Sequence, residues 1–137
     1  VFTDNGYTKE EIKMIDETMK IFNVYDIKVT ATTVRVPVKN CHSESINVEL
    51  EKPFELSSIV NDLKNMDGVV VVDNPDKLEY PTAVDANGHN EVFVGRIRRD
   101  FSVDNGVNFW CVADNIRKGA ATNAVQIAEL VLKYDLV

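Results

Sequence analysis

Two parts of the chain bring together side chains of complementary chemistry. Arg35 stands seven residues before His42, and Cys41 immediately precedes the histidine. If Lys39-Asn40 is a two-residue hairpin turn, Val38 faces Cys41, Pro37 faces His42 and Arg35 faces Glu44, which makes His42 a same-face diagonal neighbour of Arg35 at roughly 7–8 Å. A guanidinium fork and an imidazole at that separation can bracket a small carboxylate-bearing substrate, the arginine binding it bidentately and the histidine moving a proton. A three-residue turn reverses the parity and removes the arrangement. On spacing alone the plainer reading, a surface arginine and a turn histidine, is the stronger. The second pair is Glu10 and Lys13, which at i and i+3 on a helix lie about 5–6 Å apart at Cβ. By pattern it reads first as a solvated ion pair, worth little.

Other reactive side chains carry less. Cys41 and His42 invite a thiolate–imidazole hydrolase, but consecutive residues of an extended chain point to opposite faces. Cys111 shares a strand face with Phe109 and Ala113 and reads as a buried structural thiol. His89 sits beside Asn87-Gly88 with no companion that would make it a ligand, and cysteines and histidines at 41, 42, 89 and 111 have no recognised metal-ligand spacing. Arg117 and Lys118 stand just before a predicted helix, at the end where cations are disfavoured, so either they face solvent or an anion approaches them.

The elements that must position these residues follow from hydrophobic periodicity. A helix is predicted over 9–22, opened by Thr8 with Glu11 as a capping box and striped by Ile12, Ile15, Met19 and Phe22. Residues 27–38, rich in β-branched side chains, are predicted to form a strand that pairs as a hairpin with a second one over Ile46, Val48 and Leu50. A helix over 53–65 ends at Gly68, a short buried strand follows over 69–72, and Asn74-Pro75-Asp76, Pro81 and Asn87-Gly88 mark an irregular connection. Strands over 91–101 and 107–113 flank Asp104-Asn105-Gly106, the strongest hairpin signal in the chain. A helix over 120–133 closes it, with small residues at Ala120, Ala121, Ala124 and Ala128. The order α-β-β-α-β-β-β-α predicts an α+β fold, a largely antiparallel or mixed sheet covered by helices on one face in a single domain.

Composition limits the function classes. The chain has 137 residues with 15 Lys and Arg against 22 Asp and Glu, a formal charge of −7. Such an acidic balance argues against a sequence-independent grip on nucleic acid, which needs clustered positive charge. No apolar run approaches the roughly 20 residues that span a bilayer. Two cysteines allow at most one disulfide, and a reducing, cytoplasmic setting is the simpler expectation. Neither G-x-G-x-x-G after a strand nor a P-loop occurs. The chain begins with Val, which suggests a piece of something longer.

Four motifs in order carry a resemblance: Thr8-Lys9-Glu10-Glu11-Ile12-Lys13; Arg35-Val36-Pro37-Val38 with His42-Ser43-Glu44-Ser45; Val94-Gly95-Arg96-Ile97-Arg98; and Ala113-Asp114-Asn115-Ile116-Arg117-Lys118-Gly119-Ala120-Ala121-Thr122-Asn123-Ala124. Together they resemble the C-terminal catalytic and dimerisation domain of aspartate-semialdehyde dehydrogenase. The resemblance implies an NADP-dependent oxidoreductase that interconverts 4-aspartyl phosphate and aspartate 4-semialdehyde, on the route to lysine, threonine and methionine. It implies His42 as the acid/base, Arg35 as the group holding the substrate α-carboxylate, Glu10 on the substrate amino group, Lys13 on phosphate and Asn115 near the nicotinamide carboxamide.

The resemblance further implies residues 1–119 as the dimerisation and catalytic domain and 120–137 as a terminal helix that packs on a nucleotide-binding domain. A homodimer, or a tetramer, is the expected assembly. The family's nucleophile sits in an Asn-Cys-Ser/Thr motif that neither Cys41 nor Cys111 provides, so the chain by itself is expected to bind no cofactor and to be inactive. The alternatives are the related N-acetyl-γ-glutamyl-phosphate reductase and a non-catalytic dimerisation module. The Glu-x-x-Lys and Arg-Val-Pro-Val-x-x-x-His spacings favour the first reading.

Overall fold

The computed structural model describes residues 1–136. It divides into two compact units, Val1–Pro37 and the residues from Val38 onward.

The first unit is built on α1 (Lys9–Phe22). Its start is the capping box expected from the sequence. The Thr8 hydroxyl accepts from the Glu11 N–H at 3.2 Å, and the Glu11 carboxylate accepts from the Thr8 N–H at 2.7 Å. Asn23 ends the helix in the left-handed conformation that its short side chain tolerates. Residues 27–38 are not the predicted strand. They join no ladder and are tied to the rest of the unit through side chains: the Thr33 N–H donates to Glu11 at 2.6 Å, and the Thr30 and Tyr7 hydroxyls lie 3.2 Å apart. Pro37 has no N–H to offer a partner. β-branching favours an extended backbone but does not supply a neighbour to pair with.

The second unit holds a mixed sheet. Its strands are β1 (His42–Glu49), β2 (Val69–Val71), β3 (Val92–Asp100) and β4 (Gly106–Ala113), in the order β1-β4-β3-β2. β3 and β4 form the hairpin expected around Asp104-Asn105-Gly106, and β2 adds in parallel to β3. The predicted hairpin before β1 is replaced by an antiparallel pairing of β1 with β4. In that register His42 lies opposite Ala113, Glu44 opposite Cys111, Ile46 opposite Phe109 and Val48 opposite Val107. Directly opposed residues share a face.

That face is the main core. α2 (Leu56–Lys64) packs Leu56, Ile59, Val60 and Leu63 on Val94, Ile97 and Val107. The opposite face carries Phe93, Trp110 and Val112, on which Cys41 and the short α3 (Ala83–Ala86) rest. The Trp110 indole N–H donates to the Pro81 carbonyl at 3.0 Å, so the ring's one polar atom is not stranded. A 3-10 turn, Pro75–Lys77, and α3 lie within the connection expected to be irregular.

The last helix differs at its start. Residues Arg117–Ala121 form a π turn, and α4 (Thr122–Lys133) follows it. Arg117 and Lys118 therefore do not stand free before a helix N-terminus. Lys118 Nζ donates to Asn123 and Gln126 at 2.9 and 2.8 Å, and Arg117 donates to Asn90 at 3.1 Å. The expected terminal element 120–137 includes Val137, which lies outside the described residues.

Candidate active site

Each unit contributes part of the residue set singled out by the sequence. In the first, the buried Glu11 fixes the register of α1 by accepting from both Thr8 and Thr33, which leaves Glu10 and Lys13 on the exposed side. Lys13 Nζ lies 4.0 Å from both Glu10 and Glu17. Pairs this exposed are solvated and weak, so Glu10 and Lys13 stay available to other charges. Arg35 is exposed in the segment after α1, and among the described residues no ion pair engages it.

The second unit holds His42 and Asn115. His42 is the first residue of β1 and its side chain is exposed. The hairpin that would have set it diagonally to Arg35 does not form: residues 27–38 join no ladder, and β1 pairs with β4. Cys41 immediately before it is buried and has φ 78°, in the left-handed region. The Cys41 N–H donates to Asn115 Oδ1 at 2.8 Å. Since a backbone N–H can only donate, the Asn115 amide presents its oxygen there and keeps its NH2 group for another acceptor.

Asp114 was absent from the sequence-level candidates, yet it organises this corner. Buried at 3% exposure, its carboxylate accepts from Gly88 N–H at 2.8 Å, Ile116 N–H at 2.9 Å and Arg117 N–H at 3.2 Å. One side chain thus ties the Gly88 loop to the end of β4 and starts the π turn. The available signal was an Asp-Asn pair directly after a strand, the residue types that cap turns through their own side chains.

A family model described as semialdehyde dehydrogenase, dimerisation domain, matches residues 1–118. The chain belongs to that family. Over 137 residues this dimerisation domain is 56% identical to the aspartate-semialdehyde dehydrogenase of Aquifex aeolicus, with 100% of the chain and 40% of that protein covered. It is likewise 56% identical over 137 residues to the Legionella pneumophila enzyme of that name, again covering 40% of it. The dimerisation domain therefore spans about two fifths of the length of these relatives. Among solved structures, Vibrio cholerae aspartate semialdehyde dehydrogenase II complexed with ASA matches with a TM-score of 0.90 and 49% identity, over 97% of this chain and 39% of that one.

Both thiols of the dimerisation domain are free, and both are poor nucleophiles. Burial pushes the Cys111 thiol up to about 11, with Glu44 across the ladder adding to the effect. Burial also raises Cys41, helped by the Asp114 carboxylate. A rise of two units leaves about 100-fold less thiolate at pH 8, so Cys111 is expected to react with a chromogenic disulfide roughly 100-fold more slowly than a free thiol. Stopped-flow thiol release on the native chain checks this, and a fast phase from Cys111 would contradict it.

The carboxylates shift the other way. The Thr8 and Thr33 N–H groups hold Glu11 below its usual 4.5, and the N–H of Gly88, followed by those of Ile116 and Arg117, holds Asp114 below 3.8. Groups that are stronger acids when folded stabilise the fold fully above those unfolded values, and the contribution is lost as pH falls through the lower folded ones. The urea midpoint is therefore expected to be flat near neutrality and to fall steeply on acidification below about pH 4. Asp114→Asn should lower the midpoint at pH 7 and flatten that acid limb. An unchanged limb in the variant would remove Asp114 as its source.

Proposed function

We propose that this chain is the substrate-binding, acid/base and dimerisation part of an aspartate-semialdehyde dehydrogenase, interconverting aspartate 4-semialdehyde, phosphate and NADP with 4-aspartyl phosphate and NADPH in a cytoplasmic amino-acid biosynthetic route. The observation that carries the reading is 56% identity to an enzyme of that name along the whole chain. The side-chain chemistry suits it, with a carboxylate for each ammonium and a cation for each anion. Arg35 binds the substrate carboxylate through its planar fork. Glu10 takes the substrate ammonium, Lys13 the phosphate, and their weak mutual pairing costs little to exchange for substrate. His42 moves the proton.

The covalent nucleophile comes from outside this chain, consistent with two thiols held above their usual range. When bound, the nicotinamide cofactor supplies hydride transfer. Asn115 fits one end of it, because its NH2 group is left to donate to a carboxamide oxygen. No Gly-rich loop of this chain would hold the phosphates, which belongs to the upstream part. α4 leaves Val125, Ile127, Leu130 and Leu132 at 49–76% exposure, and we assign residues 120–137 to packing on that part.

The test is a chimera in which this chain replaces the matching 137 residues of the Aquifex aeolicus enzyme. It should oxidise aspartate semialdehyde with phosphate and NADP, while the chain alone should turn over nothing and sediment as a two-fold dimer at micromolar concentration. A folded but inactive chimera overturns the catalytic reading and leaves a dimerisation module. A monomeric chain counts against the assembly.

A further inference from the structure

We propose that Asn115 is a positioning residue for His42, acting through the backbone of Cys41. The inference rests on His42 being the acid/base. Cys41 has φ 78°, a region that residues with a Cβ enter reluctantly. Nothing about its own side chain favours that conformation, for a thiol cannot hydrogen-bond locally as Asn or Asp does. What holds it is outside the residue: the Cys41 N–H donates to Asn115 Oδ1 at 2.8 Å, across 74 residues of sequence, and the side chain is buried on Ala86 and Val112.

The next residue is His42, which starts β1 opposite Ala113, two positions before Asn115 on the chain. The backbone kink at 41 therefore sets the direction from which the imidazole leaves the strand. Asn115 is fixed in turn, because its neighbour Asp114 is locked by the N–H groups of Gly88, Ile116 and Arg117. Asn115 so presents its oxygen to the acid/base segment while its NH2 group remains for the cofactor, and one amide aligns both.

Glycine adopts a positive φ without the penalty of a Cβ, which separates this role from a cofactor contact. In the chimera, Asn115→Ala should lower kcat roughly 10- to 100-fold, the scale expected when a catalytic group is displaced by about an ångström. Adding Cys41→Gly to that variant should restore only part of kcat, because glycine takes the kink without the hydrogen bond but gives up the contact with Ala86 and Val112. Asn115→Asp, which keeps an oxygen for the Cys41 N–H, should stand closer to the parent than Asn115→Ala and serves if the alanine variant does not fold.

Amide exchange at Cys41 in the 137-residue chain should quicken in Asn115→Ala without any activity being measured. A loss confined to KM for the cofactor, or amide exchange at Cys41 that Asn115→Ala leaves unchanged, overturns the positioning role. His42→Asn is run beside these variants. If it loses rate while Asn115→Ala keeps kcat, the positioning role alone falls; if His42→Asn keeps full rate, the acid/base reading falls and takes this inference with it.

Discussion

Replacing His42 with asparagine in the chimeric enzyme is expected to lower kcat by about 10²–10⁴-fold, the usual worth of a positioned proton-transfer group. Asparagine preserves polarity and approximate size at the start of β1, so the strand and its pairing with Ala113 should persist. KM for aspartate semialdehyde should stay near the parent value, since the variant removes an interaction of the transition state and not one of binding. Arg35→Lys should behave in the opposite way, raising KM more than it lowers kcat, because an ammonium offers a point charge where a carboxylate takes a planar fork. Steady-state rates of both variants from acid to alkaline pH settle the assignment. Equal rates for His42→Asn and parent at every pH would sink it.

The three longer helices of this fold and its central hairpin were legible because their signals are local. Thr8 and Glu11 define the start of α1 within four residues, and Asn105-Gly106 sits at the turn that lets β3 meet β4. The failure at residues 27–38 came from a property that no local signal holds. β-branched residues make a segment extended, but whether it joins a sheet depends on which strand it meets, and β1 finds β4 across more than fifty residues. The Arg35 and His42 hairpin geometry failed with it, although the residues themselves matched the motifs of the family. Glu10 and Lys13 were visible as an i, i+3 pair, while Glu11 was visible only as a cap. Its second bond, to the Thr33 N–H, spans 22 residues and turns a helix-starting device into the main tie of the first unit. Asp114 is partly of this kind: its bonds to the Ile116 and Arg117 N–H groups are local, but the one that ties in the Gly88 loop spans 26 residues.

The motif Val94-Gly95-Arg96-Ile97-Arg98 reads as charge but does its work through backbone, and Gly95→Ala is expected to be the most destabilising single methyl in the sheet. The ladder between β3 and β4 shifts register between Gly95 and Arg98, so the motif is a β-bulge. Arg96 takes φ 56° there, and Asp73 holds the bulge by accepting from the Arg96 and Ile97 N–H groups at 3.0 and 2.9 Å. This returns Ile97 to the core while Arg96 and Arg98 stay exposed. Gly95 lies where β3 passes closest to the end of β2. A Cβ there would sit 2.2 Å from the Val72 carbonyl oxygen and 2.6 Å from Pro81 Cδ. Neither obstacle can swing away, because the Val72 N–H is bonded to Val94 at 2.8 Å and Pro81 is buried. Overpacking against fixed backbone should cost about 3 kcal/mol, and in a domain of this size the thermal midpoint should drop by on the order of 10 °C. Gly119→Ala provides the contrast: the added methyl would meet Asn115 Cβ at 3.6 Å, an ordinary van der Waals contact. Calorimetry of the two variants should rank Gly95→Ala well below Gly119→Ala. Equal midpoints would show that β2 and β3 can separate at this point, and that the bulge owes its glycine to something other than the close approach of Val72.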